Sequence, residues 1–247
     1  MGINMEKMRA KQAALQNNAD KGKSVFWRPQ DGEQVIRIVP TEDGDPFKEY
    51  WFHYNLGSNP GFLSPKKNFG EECPLDSYVR DLFRQGDDES VKLAKSLMAR
   101  QRFFSPVIVR GEEDQGVRIW GFGKMAYQEL LSLVLNPDYG DITDVSDGTD
   151  LVIKYGKPPG AQFPQTSITP RRKASPLMDD DKTSKKFLGD VPDFTSVFER
   201  KSATEVQGML DEFIASQLSD DEVEEVSSES QKYGGDSAID QKFSELL

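Results

Sequence analysis

The stretch from Arg100 to Leu135 restricts this 247-residue chain more than any other. It runs R-Q-R-F-F-S-P-V-I-V-R, then G-E-E-D-Q-G, then V-R-I-W-G-F-G-K, then M-A-Y-Q-E-L-L-S-L-V-L. Two runs of β-branched and aromatic residues joined by a Gly-bounded acidic turn read as a β-hairpin, and the Met/Tyr/Leu spacing after Lys124 reads as a helix packing back on it. Alternation along the strands puts Val107 and Val109 inward and Ile108 and Arg110 outward. On the second strand Val117, Ile119, Gly121 and Gly123 share one face, and Arg118, Trp120, Phe122 and Lys124 share the other. Rings interleaved with cations on an extended surface suit an unpaired nucleic-acid strand, the rings for base stacking and the cations for phosphates. The competing reading makes Trp120 and Phe122 core residues. If the rings are a binding face, Ala at Trp120 or Phe104 weakens strand binding and spares stability.

Composition limits the alternatives. Hydrophobic residues make up only 36% of the chain and charged residues 30%, so part of it has little to bury. No apolar run spans a bilayer and no signal-peptide core opens the sequence, which predicts a soluble intracellular protein. The single cysteine, Cys73, excludes an internal disulfide and suits a reducing compartment. The net charge of -11 is unevenly spread. From Val206 onward eleven acidic residues face only Lys232 and Lys242, whereas the first thirty residues carry Lys7, Arg9, Lys11, Lys21, Lys23 and Arg28 against Glu6 and Asp20. A basic arm (residues 1–22), a body (23–215) and an acidic, flexible tail (216–247) follow from this layout.

Within the arm, M-E-K-M-R-A-K-Q-A-A-L-Q is helix-compatible. It reads either as a contact to a neighbouring molecule through Lys7, Arg9 and Lys11 or as a solvated terminus. Q-V-I-R-I-V-P reads as a core strand in which Arg37 must point at solvent or at an anion, and phosphate contact is the reading taken. F-K-E-Y-W-F-H-Y follows as a strand with too many rings for one buried face, making Tyr50 and Phe52 candidates for stacking. Asn55 to Gly70 reads as a flexible loop carrying Lys66 and Lys67. Two helices follow, one opening at C-P-L-D and the other acidic at its start and basic at its end. L-V-I-K-Y is a short strand, and the five prolines between Gly156 and Pro176 make a loop with a cationic knot at Arg171, Arg172 and Lys173. Helical segments around Phe194 to Phe213 precede the tail, whose closing Phe243, Leu246 and Leu247 are set to engage a partner protein; a merely solubilising terminus is the other reading.

At V-I-R-I-V-P, F-F-S-P-V-I-V-R and V-R-I-W-G-F-G-K-M-A-Y the chain resembles the single-stranded DNA-binding, helix-destabilising proteins of T-even-like bacteriophages. The resemblance implies an α+β protein built on an OB-fold-type small β-barrel with added helices. It implies cooperative, largely sequence-independent coating of single-stranded DNA in replication, recombination and repair, in the cytoplasm of an infected host. Replication and recombination proteins would be reached through the tail, which would also compete with DNA. Arg37 matches the Arg of the family's V-I-R strand, Phe103 and Phe104 match a Tyr-Trp pair, Trp120 matches a Tyr, and Arg100 and Arg102 fall near a basic cluster. That family holds zinc with one His and three Cys. Here His53 and Cys73 remain, but Asp76 stands where C-P-x-C has its second Cys and the fourth ligand has no evident counterpart, so no zinc or other cofactor is expected.

An RNA-binding or replisome adaptor protein with the same barrel is the alternative. Catalysis finds little support. Gly123-Lys124 lacks the spacing of a phosphate-binding loop, Asp179-Asp180-Asp181 reads as a solvated charge run, and one His and one Cys leave little nucleophile chemistry.

Overall fold

The computed structural model describes residues 25–57, 59, 61–198 and 200–220. The arm with Lys7, Arg9 and Lys11, and the tail residues Phe243, Leu246 and Leu247, lie outside them. The chain is α+β, built on an eight-stranded sheet. Its strands are β1 (Phe26–Trp27), β2 (Gly32–Ile38), β3 (Lys48–His53), β4 (Phe62–Leu63), β5 (Arg100–Val109), β6 (Arg118–Phe122), β7 (Thr149–Gly156) and β8 (Gln165–Ala174). The main path runs β1-β6-β5-β2-β7-β8, with β3 joined to β5 and β4 to β3.

Strand β5 organises the sheet. Its first half pairs antiparallel with β3, Tyr50 opposite Arg102, and its last residues pair with β2, Arg37 opposite Ile108. Along its other edge it carries β6, Phe103 opposite Phe122 and Ser105 opposite Trp120. This last pairing is the expected hairpin, closed by a turn containing a short 3₁₀ segment at Glu113–Gln115.

Helices α1 (Pro65–Phe69), α2 (Pro74–Gln85) and α3 (Asp88–Leu97) lie between β4 and β5; α4 (Lys124–Val134) follows β6, and α5 (Asp181–Gly189), α6 (Phe194–Val197) and α7 (Ala203–Asp220) close the described chain. Local chemistry sets their starts. Pro65 and Pro74 occupy first-turn positions, where the missing N–H costs nothing. Asp87 and Asp180 cap α3 and α5 by accepting from the N–H of Ser90 and Thr183, both at 2.8 Å. Asp180, in the middle of the acidic triplet, is thus a helix cap. Helix α7 continues to Asp220, past the expected start of the tail.

The strands alternate as expected, and Val107 and Val109 face the main core as read, but the faces of β6 are inverted. Trp120 and Phe122 point into the main core with Trp27, Ile36, Ile38, Phe103, Val107, Leu151 and Ile153. Val117 and Ile119 sit on the opposite face, which is also covered. There Ile108, Val39 and Val117 pack with Leu177 and Phe187, and Phe104 and Ile119 pack with Phe52, Tyr54 and Phe194. The chain from Leu177 to Phe198 folds back across the sheet, so β5 is buried on both sides and reads as a continuous apolar run. Leu82, Leu97 and Leu75 join Val206, Leu210 and Phe213 in a separate core between α2, α3 and α7.

Residues 165–174, expected to be loop, form an edge strand. Thr166, Ile168 and Pro170 alternate as its half-buried positions, and an edge tolerates Pro170 because one side needs no ladder hydrogen bond. Exposed Arg171, Arg172 and Lys173 on the same edge discourage pairing with another chain.

Candidate nucleic-acid interface

The expected binding residues divide by burial. Phe52, Phe103, Phe104, Trp120 and Phe122 are all core, between 0% and 5% exposed, so the expectation that they line an open face is overturned. Trp120 meets Phe122 at 4.5 Å between centroids and Trp27 edge-on at 5.9 Å, and Phe103 stacks on Tyr127 at 3.8 Å. The rings fill the main core by close packing, and Val117 and Ile119 pack with the rings of the opposite layer.

Arg37 is likewise internal. Its Nε donates to Asp150 Oδ1 at 2.9 Å and its Nη2 to Ser175 Oγ at 2.8 Å, with further bonds to the Ser175, Pro176 and Asp144 carbonyls. Asp150 also accepts from Arg110, at 2.9 Å from Nη2 and 3.1 Å from Nε. Burial pulls the Arg37 pKa down against the pull of Asp150. Burial alone would raise Asp150, but hydrogen bonds from Arg110 and Arg37 hold its carboxyl below the ordinary range. A Cβ on Gly148 would stand 2.1 Å from Arg37 Nη1, so the turn before β7 is built tightly around the guanidinium. Arg37 therefore fastens β2 to the β8 end, and its reading as a phosphate ligand is corrected. Arg102 is also buried, at 2% exposure.

Tyr50 is half-buried, edge-on to Phe104 and Phe198. Arg100 is half-buried and donates to the Lys95 carbonyl, and Arg118 donates to Glu112 across the hairpin at 2.6 Å. Fully at the surface are Lys66 and Lys67 on α1, Lys124 at the start of α4, and Arg171 and Arg172 on β8.

Four of these exposed cations, Lys66, Lys67, Arg171 and Arg172, fall on two surfaces. On the first, α1 lies along the free edge of β3. Asn68 Oδ1 accepts from the Trp51 N–H at 2.9 Å, and Asn68 Nδ2 donates to the Trp51 carbonyl at 2.7 Å. The helix thereby holds Lys67 Nζ 5.3 Å from the centre of the half-buried Trp51 ring, and exposed Phe69 lies under the Arg200 guanidinium at 3.8 Å. Rings and cations meet here in the open. Trp51 and Arg200 were missed by sequence reasoning, although F-K-E-Y-W-F-H-Y held more rings than one face could bury. The second surface is the end of β8, where Arg171, Arg172, Lys173, Ala174, Ser175 and Asp150 line a shallow cavity of about 390 Å³. Buried Arg37 holds two of the cavity's lining residues by donating to Asp150 and Ser175.

Behind the first surface, His53 is buried on β3. Burial alone would lower its pKa, but hydrogen bonds with Asp76, Cys73 and the Leu97 carbonyl raise it to about 9.

A sheet displaying basic and aromatic patches, with the buried charges of Arg37 and Asp150 spent on one another, defines a binding scaffold for polyanions. Residues 30–215 match the family model described as gp32 DNA binding protein like, and the chain belongs to that family of DNA-binding proteins. No curated protein matches it. Among the described residues no helix is long and apolar enough to cross a membrane.

Proposed function

We propose that the chain binds single-stranded DNA, cooperatively and without strong sequence preference, in phage replication, recombination and repair, and that it is not an enzyme. Its eight-stranded sheet is read as an OB-fold-type small β-barrel. The observation that carries the reading is the α1 surface, where Lys66, Lys67, Trp51, Phe69 and Arg200 stand together on a family member. Lys66 and Lys67 there, with Arg200 held by Glu71 at 2.6 Å, and the cations on β8 neutralise phosphates, and Trp51 offers a ring to a base; stacking contributes roughly 1–3 kcal/mol per base. Lys124, Tyr50, Arg100 and Arg118 extend the set. The arm is assigned to self-association through Lys7, Arg9 and Lys11. The acidic tail is assigned to competing with DNA and recruiting replication proteins through Phe243, Leu246 and Leu247.

Titration of tryptophan fluorescence with poly-dT over a salt series tests this. Lys66→Ala with Lys67→Ala, and separately Arg171→Ala with Arg172→Ala, weaken binding several-fold. Each flattens the dependence of log K on log salt by about 0.7 per lost phosphate contact. Thermal stability stays unchanged because all four side chains are in solvent. Equal binding of poly-dT and duplex DNA, or isotherms unmoved by both pairs, overturns the reading. Competition with oligo-U probes the RNA-binding alternative.

A further inference from the structure

One buried polar cluster joins four elements at a point and has no part in the interface itself. His53, 0% exposed, donates through Nδ1 to the Leu97 carbonyl at the end of α3 at 2.8 Å. Its Nε2 lies 3.4 Å from Asp76 Oδ2 in the first turn of α2 and 3.8 Å from Cys73 Sγ, just before that helix. Ser64, also 0% exposed, donates through Oγ to the same Asp76 oxygen at 3.1 Å and accepts from the Lys67 N–H at 3.2 Å, which caps α1. The ligand atoms of His53, Cys73 and Asp76 all lie within 4.8 Å of one another.

The position is the one where the phage proteins resembled by this sequence hold zinc, but the donor set does not fit a structural zinc ion. Such sites take four nitrogen or sulfur donors in a tetrahedron. Here only His53 and Cys73 qualify. The nearest further side chains are a carboxylate and a neutral hydroxyl, and that hydroxyl is already engaged, its proton given to Asp76 and a lone pair to the Lys67 N–H.

We propose that His53, Asp76 and Ser64 tie β3, α1 and α2 together directly, as a metal-free hydrogen-bonded knot standing where relatives use zinc. Each partner is satisfied by another: the imidazole bridges the Leu97 carbonyl and Asp76, and Asp76 bridges the imidazole and Ser64. Buried polar groups require such closure. The knot also sets α1, because the hydroxyl that closes the network is that helix's cap. It stands independently of whether α1 touches DNA.

The test uses the full chain, purified from zinc-supplemented medium without chelator. Elemental analysis finds zinc far below one per chain, and the melting temperature is the same with and without EDTA. Asp76→Asn lowers the melting temperature without changing metal content. Ser64→Cys combined with Asp76→Cys supplies four nitrogen and sulfur donors, so that variant takes up one zinc per chain and melts lower once EDTA is added. Stoichiometric zinc in the unmodified protein with loss of stability on chelation overturns the proposal. So does an Asp76→Asn variant as stable as the parent, or a folded double-cysteine variant that stays metal-free, since the four side chains would then not surround one point.

Discussion

Trp120→Ala destabilises the fold by about 3–5 kcal/mol, the range for removing a large ring from a packed interior. The ring is 1% exposed and locked between Trp27 and Phe122 over the apolar residues of β2 and β7. Truncation leaves a cavity that β6, paired along its length with β5 and at Ile119 and Trp120 with β1, has little freedom to fill. At about 2–4 °C per kcal/mol for a domain of this size, the melting temperature falls by roughly 6–20 °C. The fraction that stays folded at low temperature binds poly-dT as the parent does, because no part of the ring reaches solvent. Urea unfolding beside a cold binding titration checks both halves. A variant of parental stability that has lost binding would place Trp120 at the surface and refute the packing described for β6.

That expectation reverses the one drawn from alternation, and the reason is instructive. The pattern R-I-W-G-F identifies the strand and separates its two faces, but which face is inner depends on what covers the other. The cover is Leu177, Phe187, Phe194 and Phe198, at least 55 residues further along the chain. Local pattern carries no record of it. Arg37 repeats the lesson with charge: its place in an apolar run shows that it needs an anion, and the anion is Asp150, 113 residues away. The helix starts at Pro74 and Asp87 depend on adjacent residues and were readable directly, whereas the helix at Pro65–Phe69 lies in a stretch read as flexible loop and Asp180 caps a helix from a triplet read as a solvated charge run. Residues 165–174 misled because prolines usually exclude a strand, yet Thr166, Ile168 and Thr169 supply the β-branched positions and an edge forgives Pro170. The exposed cations Lys66, Lys67, Arg171 and Arg172 were legible because nothing in their surroundings could bury them. The ring beside them, Trp51, was not, since choosing among five aromatic residues in one segment requires knowing where α1 lies.

Asp150→Asn carries the second large effect. The substitution preserves shape and removes the charge shared by Arg37 and Arg110, leaving the Arg37 guanidinium at 0% exposure without its counter-ion. Breaking one side of a buried pair costs about 3–5 kcal/mol, most of it the penalty for the stranded charge. The same network orders Ser175 and Pro176 beneath the basic end of β8, so binding of poly-dT weakens in the folded protein as well. The pH dependence separates this account from a packing defect. The Asp150 pKa is depressed in the folded state, so its contribution is fully present above the ordinary carboxylate value of about 4 and is lost as acid protonates it. The parent protein therefore loses stability on the acid side of that value, and the variant, with nothing to protonate there, has a flatter acid limb. Adding Arg37→Met to Asp150→Asn removes the stranded charge and restores a large part of the loss, since Arg110 is partly exposed and can be hydrated. Denaturant unfolding of the parent, single and double variants between neutral and acid pH measures all three terms. A single variant whose acid limb parallels that of the parent would show that Asp150 does not carry the charge balancing Arg37.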